Sequence, residues 1–160
     1  MMVNESRIDI YDYLYSLFYN VVTKNVYSMN EPQELSQSDT TDGFIVIRVG
    51  NINDESEFEL QTYGWVRCYV EAYIPPTSRG RLDISRYRQF ENAINDVIRQ
   101  AMTNNDGTYW IQGDSVISMD SNEMDNPNNA YYMFVKSFIV NIEDKNESNQ
   151  NDNVDNENGD

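Results

Sequence analysis

Ile10, Leu14, Leu17, Phe18, Val21 and Val22 recur at the spacing of one helix face, behind the S-x-x-D start made by Ser6 and Asp9. That pattern predicts a helix from Arg7 to Thr23. The stretch from Ser28 to Asp42, SMNEPQELSQSDTTD, has no such period and reads as a polar loop long enough to suggest a function. Phe44 to Val49 is a β-branched apolar run between two glycines, which predicts a short buried strand, and NINDES turns the chain after it. A longer extended segment runs from Phe58 to Ile74. Val66, Cys68, Val70, Ala72 and Ile74 share one of its faces, and Trp65, Arg67, Tyr69, Glu71 and Tyr73 the other. Gly64 marks a candidate bulge or bend. Pro75 and Pro76 end the strand, since neither can donate to a ladder.

Ile84, Tyr87, Phe90 or Glu91, Ile94, Val97, Ile98 and Ala101 form the clearest helical stripe in the chain and predict a helix over residues 83 to 103. Asp83 or Ser85 is positioned to cap its start and Gly107 lies beyond its end. Tyr109 to Ile111, Val116 to Met119 and Tyr131 to Ile142 then read as three strands, separated by Gly113-Asp114 and by DSNEMDNPNNA. Both faces of the last strand are largely apolar, which places it centrally in a sheet or under a second layer. The fold expected is α+β: one domain over residues 1–143, with a mainly antiparallel β-sheet of four to six strands packed on two helices. Residues 144–160, rich in Asn and acid and with Val154 as the sole apolar side chain, cannot build a core and are expected to form a flexible tail.

Charge narrows the class of function. The chain has 160 residues, 11 Lys or Arg against 27 Asp or Glu, a formal charge of -16, and a pI near 4.1. Such a chain repels phosphate backbones, so broad sequence-independent nucleic-acid binding is disfavoured. Acidity serves solubility, the lining of a passage through which DNA slides, or mimicry of DNA. Aromatic residues make up 12% of the chain, twelve of them Tyr, enough to supply a core despite a hydrophobic fraction of 39%. The N-terminal sequence lacks the basic start and apolar stretch of a signal peptide, and no run of 18 apolar residues predicts a membrane span. The expected setting is the cytoplasm, or an assembly formed inside a cell.

Candidate chemistry is sparse. Histidine is absent, so nucleophile systems that need it are excluded and ordinary zinc sites fail on ligand count. Neither phosphate-binding glycine motif occurs. Cys68 lies on the aliphatic strand face and reads as a buried structural thiol. Asp120, Glu123 and Asp125 offer oxygen ligands, yet their loop lacks the glycine and the closing glutamate of a calcium-binding loop and reads as solvated. The reading is of a non-enzymatic protein with no catalytic residue, cofactor or metal.

Two features depart from that background. Arg79, Arg81, Arg86, Arg88 and Arg99 gather around the second long helix, with only Asp83 opposing them between Arg79 and Arg88. They either neutralise carboxylates within the fold, meet an acidic face of another subunit, or touch DNA; arginine's bidentate pairing with carboxylate suits the first two. Tyr11, Tyr13, Tyr15 and Tyr19 in the first helix and Trp65, Tyr69 and Tyr73 along one strand face exceed what one small core absorbs, and such rings are enriched at interfaces. The candidate subunit interface therefore comprises Arg79, Arg81, Arg86, Arg88, Trp65, Tyr69 and Tyr73.

The order of elements, carried by IYDYLYSLFYNVV, GFIVIRVG, WVRCYVEAYIPP followed by RLDISRYRQFENAINDVIRQAM, and YYMFVKSFIVNIED, resembles the tail-terminator and tail-completion proteins of tailed bacteriophages over residues 7 to 143. The resemblance implies a curved β-sheet flanked by helices and a subunit of a head-tail neck ring, hexameric or dodecameric. It also implies portal, connector or tail proteins as partners, genomic DNA passing through the centre without sequence-specific binding, and a place in the virion after assembly in the host cytoplasm. No membrane is involved. The loop from Ser28 to Asp42 and the acidic tail lie outside the family's pattern. The other reading is an acidic binding protein or DNA mimic that masks a basic partner.

Overall fold

The computed structural model describes residues 7–54, 63–103, 108–121 and 131–143. Along these the chain forms α1 (Arg7–Phe18), β1 (Val26–Ser28), α2 (Gln37–Asp42), β2 (Phe44–Val49), β3 (Asn53–Asp54), β4 (Tyr63–Ile74), α3 (Ile84–Thr103), β5 (Tyr109–Ser121) and β6 (Tyr132–Glu143). It is the α+β fold expected, with one curved, open, mixed sheet. The strand order is β1-β2-β4-β6-β5, with β3 paired to β4 off this path. Only β1 and β2 run parallel; the other pairings are antiparallel. β4 and β6 form its spine, in register from Tyr63 opposite Glu143 to Ile74 opposite Tyr132. The last strand is central, as its two apolar faces imply.

Period-2 alternation sorts the side chains into two faces. Val66, Cys68, Val70, Ala72 and Ile74 of β4 join Ile45, Ile47 and Val49 of β2 and Phe134, Phe138, Val140 and Ile142 of β6 in one buried cluster. Onto it pack Ile10, Tyr11, Leu14 and Phe18 of α1 and Phe90, Ile94, Ile98 and Ala101 of α3. Both helices thus cover the same sheet face. The start of α1 is tied to the end of β2: Arg7 donates to the Val49 carbonyl at 2.6 Å, and the Val49 amide donates to the Tyr11 hydroxyl at 3.0 Å.

Several expected boundaries move. The first helix stops at Phe18, not Thr23, because Asn20 adopts a left-handed conformation (φ 57°) and its amide turns to the Thr23 carbonyl at 3.0 Å. The stretch from Ser28 to Asp42 is not wholly a loop. It begins in β1 and holds α2, whose capping box pairs the Ser36 side chain with the Asp39 amide at 3.1 Å and the Asp39 carboxylate with the Ser36 amide at 2.9 Å. Gly64 makes no bulge; it pairs in register with Ile142 and Asp54. The two strands expected at 109–111 and 116–119 are one, β5, whose register shifts between Gln112 and Ile117. There the buried Ser115 hydroxyl accepts from the Ile139 amide at 2.8 Å and donates to the Gln112 carbonyl, bridging the interrupted ladder. The first part of the segment from Phe58, Gly107, the rest of the candidate calcium loop after Ser121, and the tail 144–160 lie outside the described residues.

Candidate interaction surfaces

The predicted interface residues fall into two groups that the fold does not bring together. Arg79, Arg81, Arg86 and Arg88 lie where β4 ends and α3 begins. Pro75 and Pro76 stop the strand and a tight turn follows, with the Thr77 amide donating to the Arg81 carbonyl at 2.8 Å and Gly80 in the left-handed region (φ 73°). That turn projects Arg79 and Arg81 into solvent. The Asp83 carboxylate caps α3 by accepting from the Arg86 amide at 3.1 Å. Arg88 points outward, whereas the Arg86 guanidinium reaches across to the Thr41 carbonyl at the end of α2. Arg86 is therefore spent on the fold, while Arg79, Arg81 and Arg88 are available.

Beside them lies an open polar pocket of about 400 Å³, lined by Asn20, Thr23, Lys24, Ser38, Asp42 and Arg86 among others. Lys24 adds an exposed charge that sequence reasoning did not place here, because it stands over 50 residues from the arginines. Among the described residues, most cations are engaged. Arg7 holds the Val49 carbonyl, Arg48 pairs with Glu71 at 2.8 Å and Glu31 at 3.3 Å, Arg67 donates to the Ser137 hydroxyl at 2.9 Å, and Arg99 pairs with Asp96 at 3.0 Å. Lys136, on the helix-covered face and only 5% exposed, meets Glu91 of α3 at 3.4 Å and the Ser118 hydroxyl at 2.7 Å. The described cations whose side chains form neither a hydrogen bond nor an ion pair are Lys24, Arg79, Arg81 and Arg88, all at this one end of the sheet.

Trp65, Tyr69 and Tyr73 lie on the sheet face that α1 and α3 leave uncovered. Trp65 pairs with Asn141 near the start of β4, and Tyr73 with Phe44 and Met133 at its end, so about 26 Å separates the two positions. Tyr73 is bound within the chain: its ring stacks on Phe44 at 4.5 Å, and its hydroxyl donates towards Glu31 at 2.7 Å and Glu71 at 3.0 Å. Burial and these carboxylates hold its phenol neutral well above the usual range. Glu71 chiefly, then Glu31, strengthens the proton affinity of Arg48 in the same network. Trp65 and Tyr69 remain half-buried, and on the same face β5 exposes Ile117 (51%) and Met119 (46%). The excess of tyrosine in the first helix divides: Tyr11 is buried, Tyr13 packs on Tyr109 at 4.9 Å, and Tyr15 and Tyr19 stack on each other in solvent.

Two buried polar contacts escaped the sequence. Asp39 is fully buried, accepting from the Tyr27 hydroxyl at 2.7 Å, and burial together with that carboxylate raises the Tyr27 phenol to about 12. The Ser36-x-x-Asp39 spacing was the available signal, hidden by the lack of an apolar run after it. Lys136 occupies the one polar position in the alternation Tyr132, Phe134, Phe138, Val140, Ile142. Cys68 is fully buried on the helix-covered face, where desolvation pushes its thiol up to about 12 and leaves it unreactive at neutral pH. Among the described residues no three His, Cys, Asp or Glu side chains cluster to hold a metal, and no helix is long and apolar enough to cross a membrane. No known protein family matches the chain, and no curated protein matches it either.

Proposed function

We propose that this chain is a structural subunit of a bacteriophage head-tail neck ring of the tail-terminator or tail-completion type, joining portal or capsid to tail around the DNA passage. The observation that carries this reading is the element order of a single, mainly antiparallel curved sheet, backed on one face by both long helices and left open on the other. A subunit built this way has a two-strand spine, an uncovered face that mixes aromatic, apolar and charged side chains, and a charged end for lateral or stacked contacts. A charge of -16 suits the wall of a passage that DNA crosses without sticking. Arg79, Arg81 and Arg88 suit contact with a neighbour's carboxylates, since among the described residues no carboxylate pairs with them. In this reading the protein performs no chemistry, needs no cofactor, and resides in the virion after assembly in the host cytoplasm. The DNA-mimic reading fares less well. A mimic presents free carboxylates in phosphate-like array, yet Asp39, Glu31, Glu71, Glu91 and Asp96 are each paired with a side chain of their own chain.

The test is the mass in solution by light scattering, alone and mixed with a tailed-phage portal protein. A hexamer or dodecamer, or a defined complex with the portal, is expected. A chain that stays monomeric in both conditions removes the ring reading.

A further inference from the structure

The two outer strands of the sheet are unlike. β1 offers three residues, whereas β5 offers 13, from Tyr109 to Ser121. One side of β5 pairs with β6, and among the described residues no strand pairs with its other side. An outer strand presents a row of unmade backbone hydrogen bonds, and folds commonly guard it with lysine, proline or a break in its regularity. β5 contains neither lysine nor proline, and its break guards one half alone, because the register shifts between Gln112 and Ile117. Past the break the ladder is regular again, from Ile117 opposite Ser137 to Ser121 opposite Met133. We propose that this half of β5 is a self-association edge: β5 of a second copy pairs with it antiparallel, about a two-fold axis at Ser118, and joins the two sheets into one.

Length, side chains and charge together select a second copy and that register. The other edge of the sheet is too short to match the regular half of β5, whereas an identical β5 matches it residue for residue. Ile117 and Met119 are both exposed, on the sheet face that the helices leave uncovered. An axis at Ser118 sets Ile117 of each copy opposite Met119 of the other, so the two apolar side chains of one copy are covered by those of its mate, and directly opposed pairs are the ones that touch. β5 carries Asp114 and Asp120 and no base. The axis at Ser118 sets position 120 opposite Val116, while an axis one residue earlier would oppose Asp114 to Asp120 and repel. Such an axis stands across the sheet, so α1 and α3 of both copies lie on one side and the faces bearing Trp65 and Tyr69 continue on the other. The contact uses none of the arginines and goes beyond the ring reading.

The full chain is used throughout. A stretch this short buries less than a standard interface, so the association is weak and sedimentation velocity follows it up to about 1 mM. One variant carries Ile117→Glu and Met119→Glu, a second Ile117→Lys and Met119→Lys, and a third Ile117→Thr and Met119→Thr, which keeps a strand-compatible, uncharged edge. Wild type should form dimers that tighten as salt is raised, because the contact contains no ion pair and screening relieves repulsion between two acidic copies. Each charged variant alone should be monomeric with an unchanged circular dichroism spectrum. Their equal mixture should form a one-to-one pair, the lysines of one facing the glutamates of the other, although both chains remain acidic as a whole. The threonine variant should dimerise at least tenfold more weakly than wild type. A wild type that stays monomeric over that range overturns the pairing, as does a charged mixture that fails to associate. A hexamer that the glutamate variant leaves intact overturns the pairing and leaves the ring reading standing. A wild type that stops at dimers, lost in the glutamate variant, upholds the pairing while the ring reading fails.

Discussion

Lys136 is a charged residue held at only 5% exposure. Its ammonium lies under α3 with Glu91, Ser118 and the Phe134 ring, whose centroid is 5.6 Å away. Pairs like this are costly to break and cheap to replace, because a lone buried charge loses its water without recovering the attraction. Glu91→Gln should therefore cost about 1–2 kcal/mol, discounted because Glu91 is one-third exposed, while Lys136→Met should remain within about 1 kcal/mol of wild type. Urea unfolding of the two variants checks the ordering; equal losses would mean that the pair itself stabilises the fold. Cys68 carries a pH prediction. Its folded pKa, about 12, lies above the ordinary 9.0, so the neutral thiol's contribution to stability is complete below pH 9 and is lost as pH rises through about 12. The stability difference between wild type and Cys68→Ala should shrink progressively over that window, as followed by thermal melts. Tyr27, raised from 10.0 to about 12 in the folded state, adds a loss that begins nearer pH 10 and persists in the Cys68 variant.

Among the elements, α2 and the strand that follows it are joined at a single demanding position. Gly43 has φ 80°, and a Cβ there would lie 2.5 Å from the Tyr73 carbonyl oxygen. Backbone strain and backbone collision combine, so Gly43→Ala should destabilise by at least about 2 kcal/mol. Ser36→Ala removes one half of the α2 capping box and should cost about 1 kcal/mol. Chemical denaturation measures both, and a Gly43 variant as stable as wild type would show that β2 shifts to admit the methyl group. The two long helices lean mainly on packing, with Asp83 capping α3. Their stripes bury Phe18 and Phe90 against the sheet, so tertiary packing sustains them.

At the scale of the whole molecule, the buried cluster of the described residues runs from Ile10 to Ile142. Deleting residues 144–160 should leave the thermal midpoint nearly unchanged, since that segment contributes Val154 as its sole apolar side chain. Circular dichroism melts give the answer, and a large drop would show that the tail packs on its own domain. Loss of assembly with an unchanged melt would instead agree with a tail that serves the neighbouring copy. The polarity of the molecule, basic where β4 ends and acidic beyond β6, follows from β6 running antiparallel to β4 over its full length.

Periodicity alone determined the α+β class, both long helices, the buried face of β4 and the central place of β6, because side chains three to four apart on a helix and two apart on a strand must share a face. Composition alone determined the acidity and the lack of histidine chemistry. Tertiary structure decided what needed partners distant in sequence. The first helix ended at Phe18 because Asn20 turned the chain toward β1. The segment 109–121 proved to be one strand because Ser115 bridges its break. Arg86 was drawn to α2 while Arg79, Arg81 and Arg88 were left outside. Lys24 joined them only because the parallel pairing of β1 with β2 returns the end of the first helix to the start of the third. Such choices rest on contacts whose loop-closure cost and geometry no local window of sequence contains.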